Sequence, residues 1–182
     1  IVPPGAEAQD TFNRAVNLLP SSGGIVEALS GTYWVGKNAN GKCIVVKDNV
    51  HLKLDAGVVL KVKSNYNYFS VIQNEDQTNG NDNIKISGAG TIDGNGVGSV
   101  DQVHGIYFSE NYLLGKSCFI EGGLRIKNFK GKPIHLSQYR NISVLDLISE
   151  DNYWGLLIAS CGAGIIKGCK ISGSSSGLYI WT

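Results

Sequence analysis

Two adjacent carboxylates, Glu150 and Asp151, are the side chains of this sequence best suited to shared acid–base chemistry. One carboxyl group can protonate the leaving oxygen of a glycosidic bond while a second activates water, if the two lie roughly 6.5–9.5 Å apart for an inverting reaction. Asp101 is a third acid that could complete such a pair with either of them. The competing interpretation is that all three are solvated loop acids, which is the usual place of carboxylates.

Aromatic and histidine side chains recur at outward-facing positions of the predicted strands. Alternation along a strand points every second side chain away from the core. One outward column comprises Tyr107, His135, Leu157 and Tyr179, and the next comprises Ser109, Ser137, Ala159 and Trp181. The segments that lead into these strands contribute Asp101, His104 and Trp154. Flat rings suit the apolar faces of sugars, so we predict a carbohydrate-binding surface. A partner subunit or a folded-back loop that covers the rings is the alternative.

No metal or cofactor site is indicated by the sequence. Its four cysteines lack the paired spacing and the neighbouring histidines of a zinc site, and no cluster of acids suits Ca²⁺. We therefore predict no metal and no cofactor. Spacing cannot choose among the three disulfide pairings, and the favoured interpretation is that the thiols are free and pack as small hydrophobic side chains. These residues are Cys43, Cys118, Cys161 and Cys169.

The composition excludes several classes of partner. Sixteen basic and 15 acidic residues leave a formal charge of +1, so the chain lacks the basic surface that nucleic acids or anionic membranes require. Its apolar runs are too short to cross a bilayer. Glycine accounts for 24 of the 182 residues, roughly twice the average share. Such a chain is expected to consist of turns and buried strands.

A repeat of about 22 residues is the strongest structural signal. A short apolar strand begins near Pro133 and recurs 22 residues later at Gly155 and again at Gly177. An earlier copy begins at Gly105, 28 residues before the Pro133 copy. Two further short strands lie within each repeat, with no hairpin turns. Three strands in a fixed period are typical of one rung of a parallel β-helix, an all-β solenoid with inward apolar columns and small residues at the corners.

The first 24 residues have a different pattern. A helix is predicted from Glu7 to Leu19, ended by Pro20 and the Ser and Gly residues that follow. An amphipathic helix laid over the open end of the solenoid would cover backbone that lacks a neighbouring strand. We therefore predict a cap and lead-in over residues 1–24 and one β-helix domain over residues 25–182. The absence of Met and the strand-like final residues favour a C-terminally truncated piece of a longer protein.

Two segments resemble proteins of the pectate-lyase-like β-helix superfamily. Residues 8–15, followed by GGIVE at 23–27 and SGTY at 30–33, resemble the opening of those proteins. Residues 83–96, which end in GTIDGNG, resemble a run found in polygalacturonases and in related phage tailspikes. The resemblance implies a right-handed, single-stranded parallel β-helix, in agreement with the usual hand of parallel crossovers.

The catalytic motifs that this resemblance implies are incomplete. Residues 150–156 stand where polygalacturonases have an N-T-D-G-I-D-I run, with a different spacing, and residues 174–177 supply no carboxylate where a second acidic pair is expected. A G-H-G motif is absent from the sequence, and the R-I-K run at 125–127 lies in another rung. For Asp93 within GTIDGNG, the favoured role is structural, as a turn residue that binds nearby backbone amides.

Two hypotheses of function follow. In the first, the chain recognises and hydrolyses an extracellular polysaccharide, with polygalacturonase-like glycoside hydrolase chemistry completed by the longer protein. In the second, it is a non-catalytic segment of a phage tailspike or cell-surface protein that presents a glycan- or subunit-binding face, as a homotrimer in the tailspike case. Both imply a secreted protein or a virion surface, without nucleic acid or membrane insertion. Hydrolysis, elimination and binding without turnover stay open.

Overall fold

The computed structural model describes residues 8–64, 68–97, 103–111, 115–173 and 177–181. In these ranges one helix, α1 (Ala8–Asn17), precedes 18 strands in three parallel sheets. Sheet A contains β1 (Gly24–Ala28), β4 (Val50–Leu54), β7 (Ile84–Ser87), β10 (Ser117–Glu121), β13 (Asn141–Leu145) and β16 (Ala163–Lys167). Sheet B contains β2 (Gly31–Val35), β5 (Val58–Val62), β8 (Thr91–Asp93), β11 (Arg125–Lys127), β14 (Ile148–Glu150) and β17 (Lys170–Ser172). Sheet C contains β3 (Ile44–Val46), β6 (Phe69–Asn74), β9 (Val103–Ser109), β12 (Ile134–Ser137), β15 (Leu156–Ala159) and β18 (Leu178–Trp181). None of the described helices has the length and apolar character needed to span a membrane.

Consecutive strands visit sheets A, B and C in turn, so three strands complete one rung. Each strand pairs in parallel with the strand three places further along the chain. The coil is right-handed, as parallel crossovers almost always are, and its described part contains six rungs. The predicted right-handed parallel β-helix is confirmed.

Columns of apolar side chains fill the interior. In sheet A the register aligns Val26, Leu52, Ile86, Ile120 and Val144, one from each of five successive rungs. All five are buried. A slip of one residue would turn a whole strand's apolar set outward, so the alternation of apolar and polar residues fixes the register of the stack.

Helix α1 closes the N-terminal end of this core. Phe12 is buried, and its ring centroid lies 5.4 Å from that of Tyr33. The Asn13 amide donates from Nδ2 to the backbone oxygen of Cys43 at 2.7 Å and accepts at Oδ1 from the backbone nitrogen of Val45 at 2.8 Å. The helix thereby satisfies backbone groups at β3, the edge strand of sheet C. It is the predicted cap, ending two residues earlier than expected.

The sixth rung leaves core-facing side chains in contact with solvent. Leu178 and Ile180 continue the inward columns of Leu156 and Ile158, as predicted. Ile180 is nevertheless 59% exposed, because no described strand pairs with the outer edge of β18. Apolar surface is therefore present at this end of the described solenoid.

All four cysteines are free thiols. Cys43 and Cys118 are fully buried, and burial raises the pKa of both thiols. The pKa of Cys161 is also raised, chiefly by burial. The thiols of Cys43, Cys118 and Cys161 therefore stay protonated and act as small hydrophobic side chains, as the favoured interpretation of the sequence had it.

The turns from sheet B into sheet C contain residues with a left-handed backbone. Asn95, Asn128 and Asp151 have φ values of 54°, 59° and 54°, a conformation that Asn and Asp tolerate better than most residues. These turns stack on one another as the strands do. They therefore form a continuous border along one side of sheet C.

We expect Gly88→Ala to destabilise the fold through the close approach of two rungs. Gly88 has a φ of 105°, and an added Cβ would lie 2.2 Å from the backbone oxygen of Leu54. Backbone strain and steric overlap together should lower the free energy of unfolding by about 2 kcal/mol or more. Urea unfolding followed by circular dichroism measures this loss.

Gly123→Ala is the matched control for that variant. Gly123 also has a positive φ, 81°, but no described atom lies within 4 Å of an added Cβ. Strain alone should then cost about 1 kcal/mol. Equal losses in the two variants would contradict the close packing of rungs at Gly88.

Asn152→Ala should also destabilise the chain, because Asn152 braces the turn that leads into β15. The buried Asn152 accepts at Oδ1 from the Phe129 backbone nitrogen at 2.9 Å and donates from Nδ2 to the Ile126 backbone oxygen at 2.9 Å. Removing the amide leaves two buried backbone groups without a hydrogen-bond partner. The free energy of unfolding should therefore fall by about 2–4 kcal/mol. Exposed Asn141→Ala serves as control and should change it by less than about 0.5 kcal/mol in the same urea assay. Similar losses in both would refute the bracing role.

Candidate functional site

The outward face of sheet C brings together residues from successive rungs. The register pairs Tyr107 with His135, His135 with Leu157 and Leu157 with Tyr179. Ser109, Ser137, Ala159 and Trp181 form the parallel column two residues further along. Both outward columns are therefore aligned as the sequence predicts.

A groove with a cavity of about 330 Å³ lies on this face. We call it the sheet C groove, and it is lined by Lys132, His135, Trp154, Gly155, Leu157, Tyr179 and Trp181. Four of these, His135, Trp154, Tyr179 and Trp181, are residues that the sequence predicted to bind substrate. Strands β12, β15 and β18 and the segments before them supply the lining, so the groove crosses three rungs.

Aromatic rings dominate the walls of the sheet C groove. The ring centroids of Trp154 and Tyr179 are 6.5 Å apart with planes inclined at 62°. Tyr179 is 40% exposed and Trp181 is 67% exposed. The Lys132 Nζ lies 5.7 Å from the Trp154 ring centroid, within range of a cation–π interaction. Among the described residues, the lining thus combines exposed rings with the positive charge of Lys132.

Two predicted residues support the groove from its upstream side. The Tyr107 ring packs on His135, with centroids 4.8 Å apart and planes tilted by 36°. His104 accepts at Nδ1 a hydrogen bond from the Lys132 backbone nitrogen at 2.8 Å. This bond makes Nε2 the protonated nitrogen of a neutral His104 ring. Tyr107 and His104 therefore position His135 and Lys132. Asp101 lies outside the described residues.

The two candidate catalytic acids lie apart from the sheet C groove. Glu150 is the last residue of β14 in sheet B and not part of the loop before β15, and its Oε1 is 2.5 Å from Nη1 of Arg125. Asp151 is the turn residue that follows. Neither lines the sheet C groove. The pairing of Glu150 with Arg125 occupies the carboxylate in an ion pair on the sheet B face.

Asp151 instead lines a second cavity of about 630 Å³ along the turns from sheet B to sheet C. We call it the turn groove, and it is lined by Lys61, Asp93, Asn95, Gly96, Asn128, Phe129, Lys130, Asp151, Asn152, Tyr153 and Gly173. Its floor crosses successive rungs in the direction of the solenoid axis. Tyr153 on this groove and Trp154 on the sheet C groove are in edge-to-face contact, with ring centroids 5.6 Å apart. The two aromatic residues form the ridge between the grooves.

Asp93 is held firmly within the turn groove. It is largely buried, and its Oδ1 accepts hydrogen bonds from the Asn95 backbone nitrogen at 2.8 Å and from Asn128 Nδ2 at 2.9 Å. The bond from Asn95 is the turn interaction expected from the GTIDGNG run. The bond from Asn128 joins this turn to the next rung, a contact that the sequence alone did not indicate.

Among the described residues, no group of three or more His, Cys, Asp or Glu side chains is arranged to hold a metal ion. Asp93 and Asp151 are the acids of the turn groove, and they share it with the ammonium groups of Lys61 and Lys130. The charges of these four side chains sum to zero. The side chains that line the two grooves offer hydrogen bonding, stacking and proton exchange.

Lys132 and the turn groove are the features of the candidate site that sequence reasoning missed. Lys132 occupies the position before Pro133 that Trp154 occupies before Gly155, so extending the 22-residue alignment by one position upstream would have found it. The turn groove had no comparable signal, since it depends on how turns of unequal length pack.

Comparison with known proteins shows the fold. No protein-family model and no curated protein matches the sequence. The A-module of the mannuronan C-5 epimerase AlgE4 from Azotobacter vinelandii superposes with a TM-score of 0.71 at 15% sequence identity, covering 98% of this chain and 51% of the module. A glycosyl hydrolase candidate from Parabacteroides merdae aligns with a TM-score of 0.44 at 13% identity, over 97% of this chain and 91% of its own. This chain thus spans about half the length of the A-module, and shares with it the right-handed parallel β-helix fold.

Proposed function

We propose that this chain binds a polysaccharide along the sheet C groove. The observation that carries the proposal is the cluster of rings in that groove, Trp154, Tyr179 and Trp181, of which the last two stand in the outward columns of sheet C. Exposed rings that face one cavity are typical of ligand sites. Sugar rings offer the flat apolar faces that such side chains contact.

The groove geometry suits a polymer better than a single sugar. The groove crosses three rungs from His135 to Tyr179, a span of about 10 Å at the spacing of stacked strands. Lys132 and His135 add polar groups to the apolar walls. The positive charge of Lys132 favours a polymer that carries acidic groups, and the fold neighbour from Azotobacter is named for action on mannuronan.

The second class of function is binding without turnover, in a tailspike or cell-surface protein. There the same rings would contact glycan or a second subunit, and the assembly of a tailspike would be a homotrimer. Either class acts on material outside the cell, so we propose an extracellular or virion-surface location. The oligomeric state in solution separates the subunit version from the polysaccharide version.

Replacing the exposed rings should weaken polysaccharide binding. Tyr179→Ala and Trp181→Ala should each reduce affinity about tenfold, because truncating an aromatic anchor at a contact centre typically costs more than 1 kcal/mol. Affinity electrophoresis in gels that contain mannuronan, polygalacturonate or xylan measures the change. Phe119→Ala, an outward aromatic on sheet A, is the matched control and should bind like the unaltered chain.

Two results would contradict this proposal. One is an absence of retardation by every polymer tested. The other is retardation that both groove variants leave unchanged. A trimer in sedimentation analysis that Tyr179→Ala dissociates would instead support the subunit-binding class.

Glycoside hydrolysis is the second candidate activity, and one observation favours it. Asp93 and Asp151 line the same cavity from strands two rungs apart, a backbone separation of about 10 Å. That backbone distance is slightly longer than the roughly 6.5–9.5 Å expected between the carboxyl groups of an inverting pair. Asp151, at the more exposed position, is the catalytic candidate of the pair.

Asp151→Asn should reduce hydrolysis about a hundredfold or more, the usual contribution of a general acid or base. Assays of reducing ends and of unsaturated products on polymers that bind the chain measure turnover. Asp146→Asn is the control, because Asp146 has nearly the same φ, 55°, in a turn between sheets A and B. Undiminished turnover in Asp151→Asn would exclude Asp151. Binding without any product would contradict hydrolysis and support binding without turnover.

A further inference from the structure

The turn groove runs beside the sheet C groove and parallel to it. From Lys61 to Asp151 its floor spans three inter-strand steps, about 14 Å. The ridge between the two grooves is no wider than the Tyr153 and Trp154 side chains, whose ring centroids are 5.6 Å apart. Tyr153 is 47% exposed. A ligand on Trp154 is therefore one aromatic ring away from the turn groove.

Hydrogen-bond acceptors line the turn groove. The amide nitrogens of Asn95 and Asn128 are engaged, since Asn95 Nδ2 donates to the Val62 backbone oxygen at 3.1 Å and Asn128 Nδ2 donates to Asp93 Oδ1. The amide oxygens of both residues thus remain as acceptors beside the carboxylate of Asp151. A surface of this kind matches a ligand that offers many hydroxyl donors.

The charge of the groove argues for a neutral ligand. The ammonium groups of Lys61 and Lys130 balance the carboxylates of Asp93 and Asp151. An anionic sugar would meet two carboxylates as well as two ammonium groups there, so its charge would gain no net attraction.

We propose that the turn groove binds a neutral sugar branch of the polysaccharide whose main chain occupies the sheet C groove. This inference rests on the proposed binding function. A single unbranched chain can follow one groove or the other along the solenoid axis, whereas a branch can cross the Tyr153–Trp154 ridge while the main chain stays on Trp154. Tyr153 supplies the apolar contact for the branch, and the acceptors of the turn groove bind its hydroxyl groups.

The test compares linear and branched probes on ¹⁵N-labelled protein. The pairs are mannan with galactomannan oligosaccharides, xylan with arabinoxylan oligosaccharides, and polygalacturonate with branched pectin fragments. Amide signals of Gly96 and Gly173 report on the turn groove, and those of Leu157 and Tyr179 report on the sheet C groove. A branched probe should shift both sets of signals, and its linear partner should shift the sheet C set alone.

Affinity provides the second measurement. Lys61→Met and Tyr153→Ala should each weaken the branched probe about tenfold and leave its linear partner unchanged, as expected for the loss of a charge-assisted hydrogen bond or of a stacking contact. Lys170→Met is the matched control, since Lys170 is an exposed lysine of sheet B outside the turn groove. It should affect neither probe.

The outcomes separate this inference from the function on which it rests. If branched and linear probes shift the sheet C set alone, or if a linear probe shifts both sets, the branch proposal is overturned while polysaccharide binding stands. If no probe shifts either set, both proposals fail. Shifts of both sets by a branched probe that Lys61→Met weakens selectively would support both.

Discussion

The parallel hydrogen bonding of each strand to the strand one rung away is the constraint on which this structure depends. Because the pairing is in register, Val26, Leu52 and Ile86 must lie one above the other. A residue in one rung must therefore pack against the residue at the same position of the next rung. The constraint applies equally to the outside of the solenoid. An outward residue gains its neighbours from other repeats, so a surface on sheet C is assembled at the spacing of stacked strands.

This architecture explains why the sequence predicted the fold and one groove but not the other. The 22-residue period aligned His135, Leu157 and Tyr179 in advance, since strands of equal length keep their register. Turns between strands do not repeat in length, so the sequence repeat does not predict how they pack. Two features depend on where a turn begins. One is the hydrogen bond from Asn128 to Asp93, and the other is the position of Glu150 within β14 and not in a loop.

The cap and the turns both supply hydrogen bonds to backbone groups where the regular pairing of strands ends. Asn13 of α1 satisfies backbone groups at β3 with both ends of its amide, as a further strand would have done. Asn152 does the same for Phe129 and Ile126 where the chain leaves sheet B. Side-chain amides thus replace strand pairing wherever the ladder is interrupted. Asn152 directly precedes Tyr153 and Trp154, the two residues of the ridge between the grooves.

The outward faces of sheets A and C carry different kinds of side chain, although the net charge of the chain is near zero. On sheet A, Lys53 pairs with Glu27 at 2.8 Å and Lys85 pairs with Glu121 at 2.7 Å. Such exposed pairs add little stability, yet they neutralise the charges of that face. The sheet C groove is lined mainly by aromatic rings. A ligand on sheet A would have to break these pairs, whereas a ligand on sheet C displaces water from apolar rings. This difference between the faces supports sheet C as the proposed binding face, and the total charge of +1 does not reveal it.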